Sequence, residues 1–128
     1  MNKRIILTAA FFGLLAVIFG AFGAHGLTGK ISEQHLENWH TAVNYQFYHT
    51  LAMLFLATFS RAKNVLINLS YVAFTLGILL FSGSLYLLST RSLTGINYTG
   101  ILGPITPLGG LAFIFGWASL FLATLKGK

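Results

Sequence analysis

Four apolar runs, each close to the length of a bilayer crossing and free of charge, constrain this chain more than any other feature. Crossing ~30 Å of hydrocarbon takes about 20 mostly apolar residues. Runs at 5–24, 42–60, 65–89 and 107–125 meet that requirement, and every Lys, Arg, Asp and Glu lies outside them. Four such spans use most of the 128 residues. What remains is short connections, so the expected fold is a single all-α domain over 1–128, an integral membrane four-helix bundle.

Composition excludes the alternatives. With 55% hydrophobic and 8% charged residues, the chain has too few charges to coat a soluble globule, and its 19 aromatics would leave large apolar patches exposed. A soluble enzyme and a disordered tail are both ruled out. The absence of cysteine removes disulfide frameworks, thiolate nucleophiles and Cys-ligated zinc or iron–sulfur sites.

Orientation follows from the cations, because short loops rich in Lys and Arg stay cytoplasmic. If the spans alternate, Lys3, Arg4, Arg61, Lys63, Lys126 and Lys128 share one side, and Lys30 and Arg91 share the other with Glu33 and Glu37. The expectation is therefore N-in, C-in, in a plasma (inner) membrane. The net charge of +6 then reports topology, not a nucleic-acid surface, which would need a basic face that no domain here displays. A cleaved signal peptide is the competing reading of the basic start and first apolar run. That run is longer than the 7–15 residues of a signal h-region, and it is read as a retained span.

Ala9, Gly13, Ala16, Gly20 and Ala24 recur at steps of three and four, which places them on one face of the first helix. Small residues at such spacing let helix backbones approach closely, here either within the bundle or across a homodimer seam. Ser70, Ala73, Gly77 and Ser84 make a similar face on the third span. The second helix is expected to start ahead of the membrane, capped by Ser32 and amphipathic through Trp39, with Trp39 and Tyr48 as interface anchors. Farther along, Asn38, Ala42, Tyr45, Gln46 and His49 form a polar stripe.

His49 lies 12 positions before Arg61, so at 1.5 Å per residue it stands ~18 Å from the cytoplasmic boundary, near the midplane. An ionisable group at that depth faces the bundle interior and is either a functional site or a neutral imidazole holding helices in register. Ser82, nine residues before Arg91, reaches similar depth with Ser84. These two, with Tyr45, Gln46, His49 and Tyr86, make a candidate polar pocket. Serine–histidine catalysis is not expected, since no span holds an acid to orient the imidazole and no Gly-x-Ser-x-Gly elbow is present.

The stretch 94–110 holds both prolines and several glycines and is expected to form an outer loop, either ordinary or folded back over the bundle as a lid. Thr106 as N-cap and Pro107 at the first helical position would start the fourth helix, leaving Trp117 as a core aromatic. His25, His35 and His40, near Glu33 and Glu37, have no diagnostic ligand spacing, so neither a metal nor haem or another cofactor is expected.

Gly20 to Leu27, Trp39 to Tyr45 with His49 to Ala52, Leu80 to Tyr86, and Thr106 to Gly110 with Gly116 and Trp117 occur in this order along the chain. Together they resemble the YgdD/YwdK-like family of small bacterial inner-membrane proteins, a domain of unknown function with a related eukaryotic transmembrane family. The resemblance covers nearly the whole chain. It implies a four-span membrane protein and carries His25, Trp39, His49, Ser82, Ser84, Pro107 and Trp117 as signature positions without roles.

The expected function is that of a non-enzymatic inner-membrane protein, an accessory or scaffold subunit or small oligomer acting through helix–helix contacts. Its expected partners are the lipid bilayer, other membrane subunits or a second copy, and not nucleic acid. The alternative is a small-molecule- or proton-handling bundle with an outward-facing polar pocket around His49. Four spans without repeats leave little for the alternating access of a transporter.

Overall fold

The computed structural model describes residues 2–59, 64–96 and 99–126; Arg61, Lys63 and Lys128, three of the cations assigned to the cytoplasmic side, lie outside them. All regular structure among the described residues is helical. Helix α1 (Lys3–Phe22) is capped by Asn2, whose side chain accepts from the Ile5 amide at 3.3 Å, and it runs on into a π-helical turn, Gly23–Leu27. The chain then reverses through Gly29, whose φ of 79° a Cβ would disfavour. Helix α2 (Glu33–Thr58) starts at Ser32, as its sequence suggests: the hydroxyl accepts from the His35 amide at 3.1 Å, and Glu33 complements the helix dipole. Asn64 caps α3 (Val65–Gly77), which continues through a second π-helical turn (Ile78–Ser82) into α4 (Gly83–Ser89). A short α5 (Arg91–Thr94) precedes α6 (Thr99–Lys126).

Among the described residues, three segments are long and apolar enough to cross a membrane: Lys3–Leu27, Val65–Ser89 and Thr99–Lys126. The second, expected over 42–60, is not among them. Helix α2 has the length, 26 residues, but Asn44, Gln46, His49 and Thr50 lower its apolarity, and three of these, Gln46, His49 and Thr50, are buried.

The Gly/Pro-rich segment is not a loop. Helix α6 begins at Thr99 and carries Pro104 and Pro107 inside it, so Thr106 is an interior residue and not a cap. A proline ring strikes the carbonyl of the residue four back, and here those residues are Gly100 and Gly103, whose backbones yield most readily.

Helices α1 and α2 form one close pair and α3 and α6 another, joined through α4. A Cβ on Gly13 or Gly20 would lie 3.5 Å from Thr50 or Val43 of α2, an ordinary contact. Ala9 and Ala16 are buried, but Ala24 is exposed: the buried side continues at Leu27 and, three residues on from Gly20, at Gly23. There a Cβ would come 2.6 Å from the Trp39 ring. Trp39 is accordingly 5% exposed and donates its indole N–H to the Phe19 carbonyl at 2.8 Å, so it is a core residue and not an interface anchor.

The α3–α6 pair interlocks reciprocally. Gly77 receives the Phe113 ring, Gly116 receives Phe74, and the Ser70 hydroxyl donates to the Gly116 carbonyl at 2.8 Å. Ser70, Ala73, Gly77 and Ser84 are all buried. Gly109 lets α6 rest directly on the backbone of the second π-helical turn at Leu80 and Phe81.

Candidate functional site

Of the three buried polar side chains of α2, Gln46 and His49 turn in different directions. Gln46, 2% exposed, turns to α1 and α4: its amide N–H donates to the Phe12 carbonyl at 2.8 Å, and its Oε1 accepts from the Tyr86 hydroxyl at 2.7 Å. His49, 4% exposed, turns to α6. Indole is a donor only, so the Trp117 N–H at 3.1 Å makes Nε2 the acceptor and leaves the proton on Nδ1, which donates to the Tyr45 carbonyl at 2.7 Å. The imidazole is thus neutral and has spent both nitrogens. Its ring lies flat on Phe113, with centroids 3.6 Å apart and planes 9° from parallel.

The candidate polar pocket does not assemble. Ser82 donates to the Ala42 carbonyl at 2.7 Å, and Ser84 bonds the Phe81 carbonyl at 3.0 Å and the Thr106 hydroxyl at 2.6 Å. No hydrogen bond among the described residues joins either serine to His49. Shared depth did not mean a shared face: each hydroxyl found the nearest carbonyl or hydroxyl of its own or the next helix, which satisfies it at least cost in an apolar interior. Tyr45 is the exception, half-exposed beside His49.

What does form is an apolar groove of about 840 Å³ between α2 and α6. Phe113 and His49 lie at its floor, where the histidine is buried and stacked, and Tyr45, Phe81, Ile114 and Trp117 wall it. None of the groove-lining residues carries a formal charge with His49 neutral. Trp117 is 46% exposed, so it is a groove-wall residue anchored by its bond to His49, not the core aromatic expected from its depth. The two tryptophans therefore exchange roles: Gly23 makes room to bury Trp39, while the indole N–H of Trp117 needs the partner that the groove wall supplies.

A family model described as a protein of unknown function (DUF423) matches residues 19–110. The chain belongs to this DUF423 family. The UPF0382 membrane protein YwdK of Bacillus subtilis is 45% identical to it over 127 residues, covering 97% of this chain and 98% of that protein. The UPF0382 membrane proteins SH2409 of Staphylococcus haemolyticus and SAB0533 of Staphylococcus aureus are 44% and 45% identical, each over 97% of both chains. No solved structure matches. With such relatives and three apolar helices, this DUF423 chain is a membrane protein of an uncharacterised family.

The groove of this DUF423 protein rests on residues the polar pattern did not single out. Phe81, Phe113 and Ile114 carry no polar atom in their side chains, and the two on α6 signal themselves only through spacing: Gly110, Phe113 and Trp117, like Pro107, Gly110, Ile114 and Trp117, recur at three and four once the segment is known to be helical. At the end bearing the α1–α2 turn, the side chains of His25 and His40 are exposed and that of His35 is half-buried.

Proposed function

We propose that this DUF423 protein is a non-enzymatic accessory protein of the inner membrane, crossing it four times with both termini cytoplasmic and holding a membrane-phase partner in the groove between α2 and α6. One observation carries the reading: the groove is wide, uncharged and floored by aromatic rings, whereas the polar side chains expected to do chemistry, Tyr45 apart, are bonded to other side chains or to backbone. Apolar walls in lipid gain little from excluding water, so the groove selects by shape and ring contact. The four-span bundle draws support from the interior position of the polar side of α2, which is costly to expose to lipid but bonded here across helices. Cytoplasmic termini draw support from the clustering of cation-bearing ends. The Asn2 amide donates to the Ala57 carbonyl at 3.2 Å and Arg4 donates to Asn68 at 2.8 Å, so the start of α1, the end of α2 and the start of α3 share one end of the bundle.

A photoreactive residue at Ile114, on the groove, and another at Ile18, exposed on α1, test the working face in living membranes. The expected result is one discrete adduct from position 114 and only bulk phospholipid from position 18. Identical adducts from both would refute the groove as the working face.

A further inference from the structure

The groove has a length and a chemistry that narrow its occupant, and this step rests on the groove reading above. From Pro107 to Trp117 along α6 is ten residues, or about 15 Å, which is one leaflet of a ~30 Å hydrocarbon core. An aqueous solute is the wrong class at that depth. A phospholipid headgroup is also unfavoured, because no cationic side chain lines the groove to meet a phosphate.

Two hydroxyls of the groove-lining residues remain to be satisfied. Tyr45 and Tyr48 both line the groove, with ring centroids 5.7 Å apart, and they are 39% and 56% exposed. Among the hydrogen bonds of the described residues neither phenol O–H takes part, although Tyr86 and Tyr71 each find a partner. Tyrosines that face lipid ordinarily stand at the headgroup level, where water satisfies them. These are eight and eleven residues along α2 from Glu37, the charged residue that precedes them, or about 12 and 16 Å farther along the helix. A donor left unmade in hydrocarbon is costly, so a ligand that brings an acceptor oxygen gains by pairing with it. The aromatic rings that line the groove with the two tyrosines are Phe81, Phe113 and Trp117, with Tyr45 and Phe81 rings 4.7 Å apart. Ring walls of this kind favour a flat conjugated body over a saturated chain.

We propose that the groove binds a neutral, flat, carbonyl-bearing isoprenoid lipid of the quinone class, its ring among these aromatic side chains and its carbonyl oxygens accepting from both the Tyr45 and the Tyr48 phenols. The assignment concerns binding; no electron transfer is invoked.

The test uses the full chain in nanodiscs of phosphatidylethanolamine and phosphatidylglycerol, titrated with menaquinone-4 and read by native mass spectrometry, with squalene as a carbonyl-free isoprenoid control. Expected is one quinone per chain, no stoichiometric squalene, and affinity about fivefold weaker in Tyr45→Phe or Tyr48→Phe and about 25-fold weaker in the double variant, the worth of one and two ordinary hydrogen bonds. Both variants keep the ring and remove a hydroxyl that bonds no described residue, so folding is preserved. Equal affinity for the double variant would overturn the carbonyl–phenol pairing, and equal binding of squalene would overturn the oxygenated class. If menaquinone-4 fails to bind while position 114 still yields a discrete adduct, such as a phospholipid or a partner helix, the quinone assignment falls and the groove reading stands. If position 114 yields none, both fall.

Discussion

Gly109→Ala is the sharpest test of how the groove is built. The methyl would not meet a side chain that can rotate away. It would fall on the peptide backbone of the second π-helical turn, against the Phe81 amide nitrogen and 2.8 Å from the Leu80 carbonyl carbon. Backbone inside a packed pair of helices moves only if α6 as a whole lifts from α3 and α4. One overpacked methylene already costs about 1–3 kcal/mol where side chains can adjust; with backbone on the receiving side the upper end applies, about 3 kcal/mol. Gly83→Ala is the matched control, a glycine in α4 whose new methyl would come no nearer than 4.0 Å to the Ile78 carbonyl oxygen. There alanine's better helix propensity, worth up to about 1 kcal/mol, meets no opposing term. Reversible unfolding of both variants in mixed micelles, followed by circular dichroism, measures the difference. Because Phe81, which the new methyl would strike, walls the groove, Gly109→Ala should also abolish the discrete adduct from position 114. Wild-type stability for Gly109→Ala, or a loss as large for Gly83→Ala, would refute the close approach of α6 to the π-helical turn.

Three further outcomes follow from the bonds described. Gln46 and Tyr86 should be coupled by about 0.6–1.7 kcal/mol in a double-mutant cycle of Gln46→Leu and Tyr86→Phe, the range for interhelical hydrogen bonds in a bilayer, and zero coupling would remove the bond from the fold. Nitrogen-15 spectra of His49 should show a protonated Nδ1 and a bare Nε2, with the Nε2 resonance shifting on Trp117→Phe; the opposite tautomer would contradict the Trp117 contact. Because the chain has no cysteine, single cysteines at Lys126 and Gln34 report topology directly: a membrane-impermeant thiol reagent added to intact cells should label Gln34→Cys and spare Lys126→Cys.

The sequence made the membrane setting plain because the relevant quantity, uncharged apolar length, is local. Val65–Ser89 is a candidate span with the same limits in structure as in sequence, and Ser32 caps α2 where its pattern put a cap. The failures share a different origin. Pro104 and Pro107 read as helix breakers, and what overrides them is the glycine four residues before each, a relation visible in the sequence only when the clash is traced to its particular carbonyl. Ala24 falls off the small face because the buried side passes from Gly20 to Gly23, a step of three where the small residues allowed three or four.

The candidate site was legible in one residue and misread in its company. Depth along a helix is computed from residue counts, and it put His49, Ser82 and Ser84 at one level. Azimuth is not so readily computed, because the second π-helical turn, Ile78–Ser82, rotates everything after it on that rod. Ser82 meets the Ala42 carbonyl and Ser84 meets Thr106, and neither bonds the histidine. The partner that His49 does find, Trp117, comes from a helix whose start had been placed eight residues too late. In an apolar medium a single polar group at depth is best satisfied by whichever donor the packing brings within reach, so its partner is decided by helix rotation and not by its chemical kind. The two tyrosines that the packing leaves without such a partner are, by the same reasoning, where a membrane-phase ligand has the most to gain.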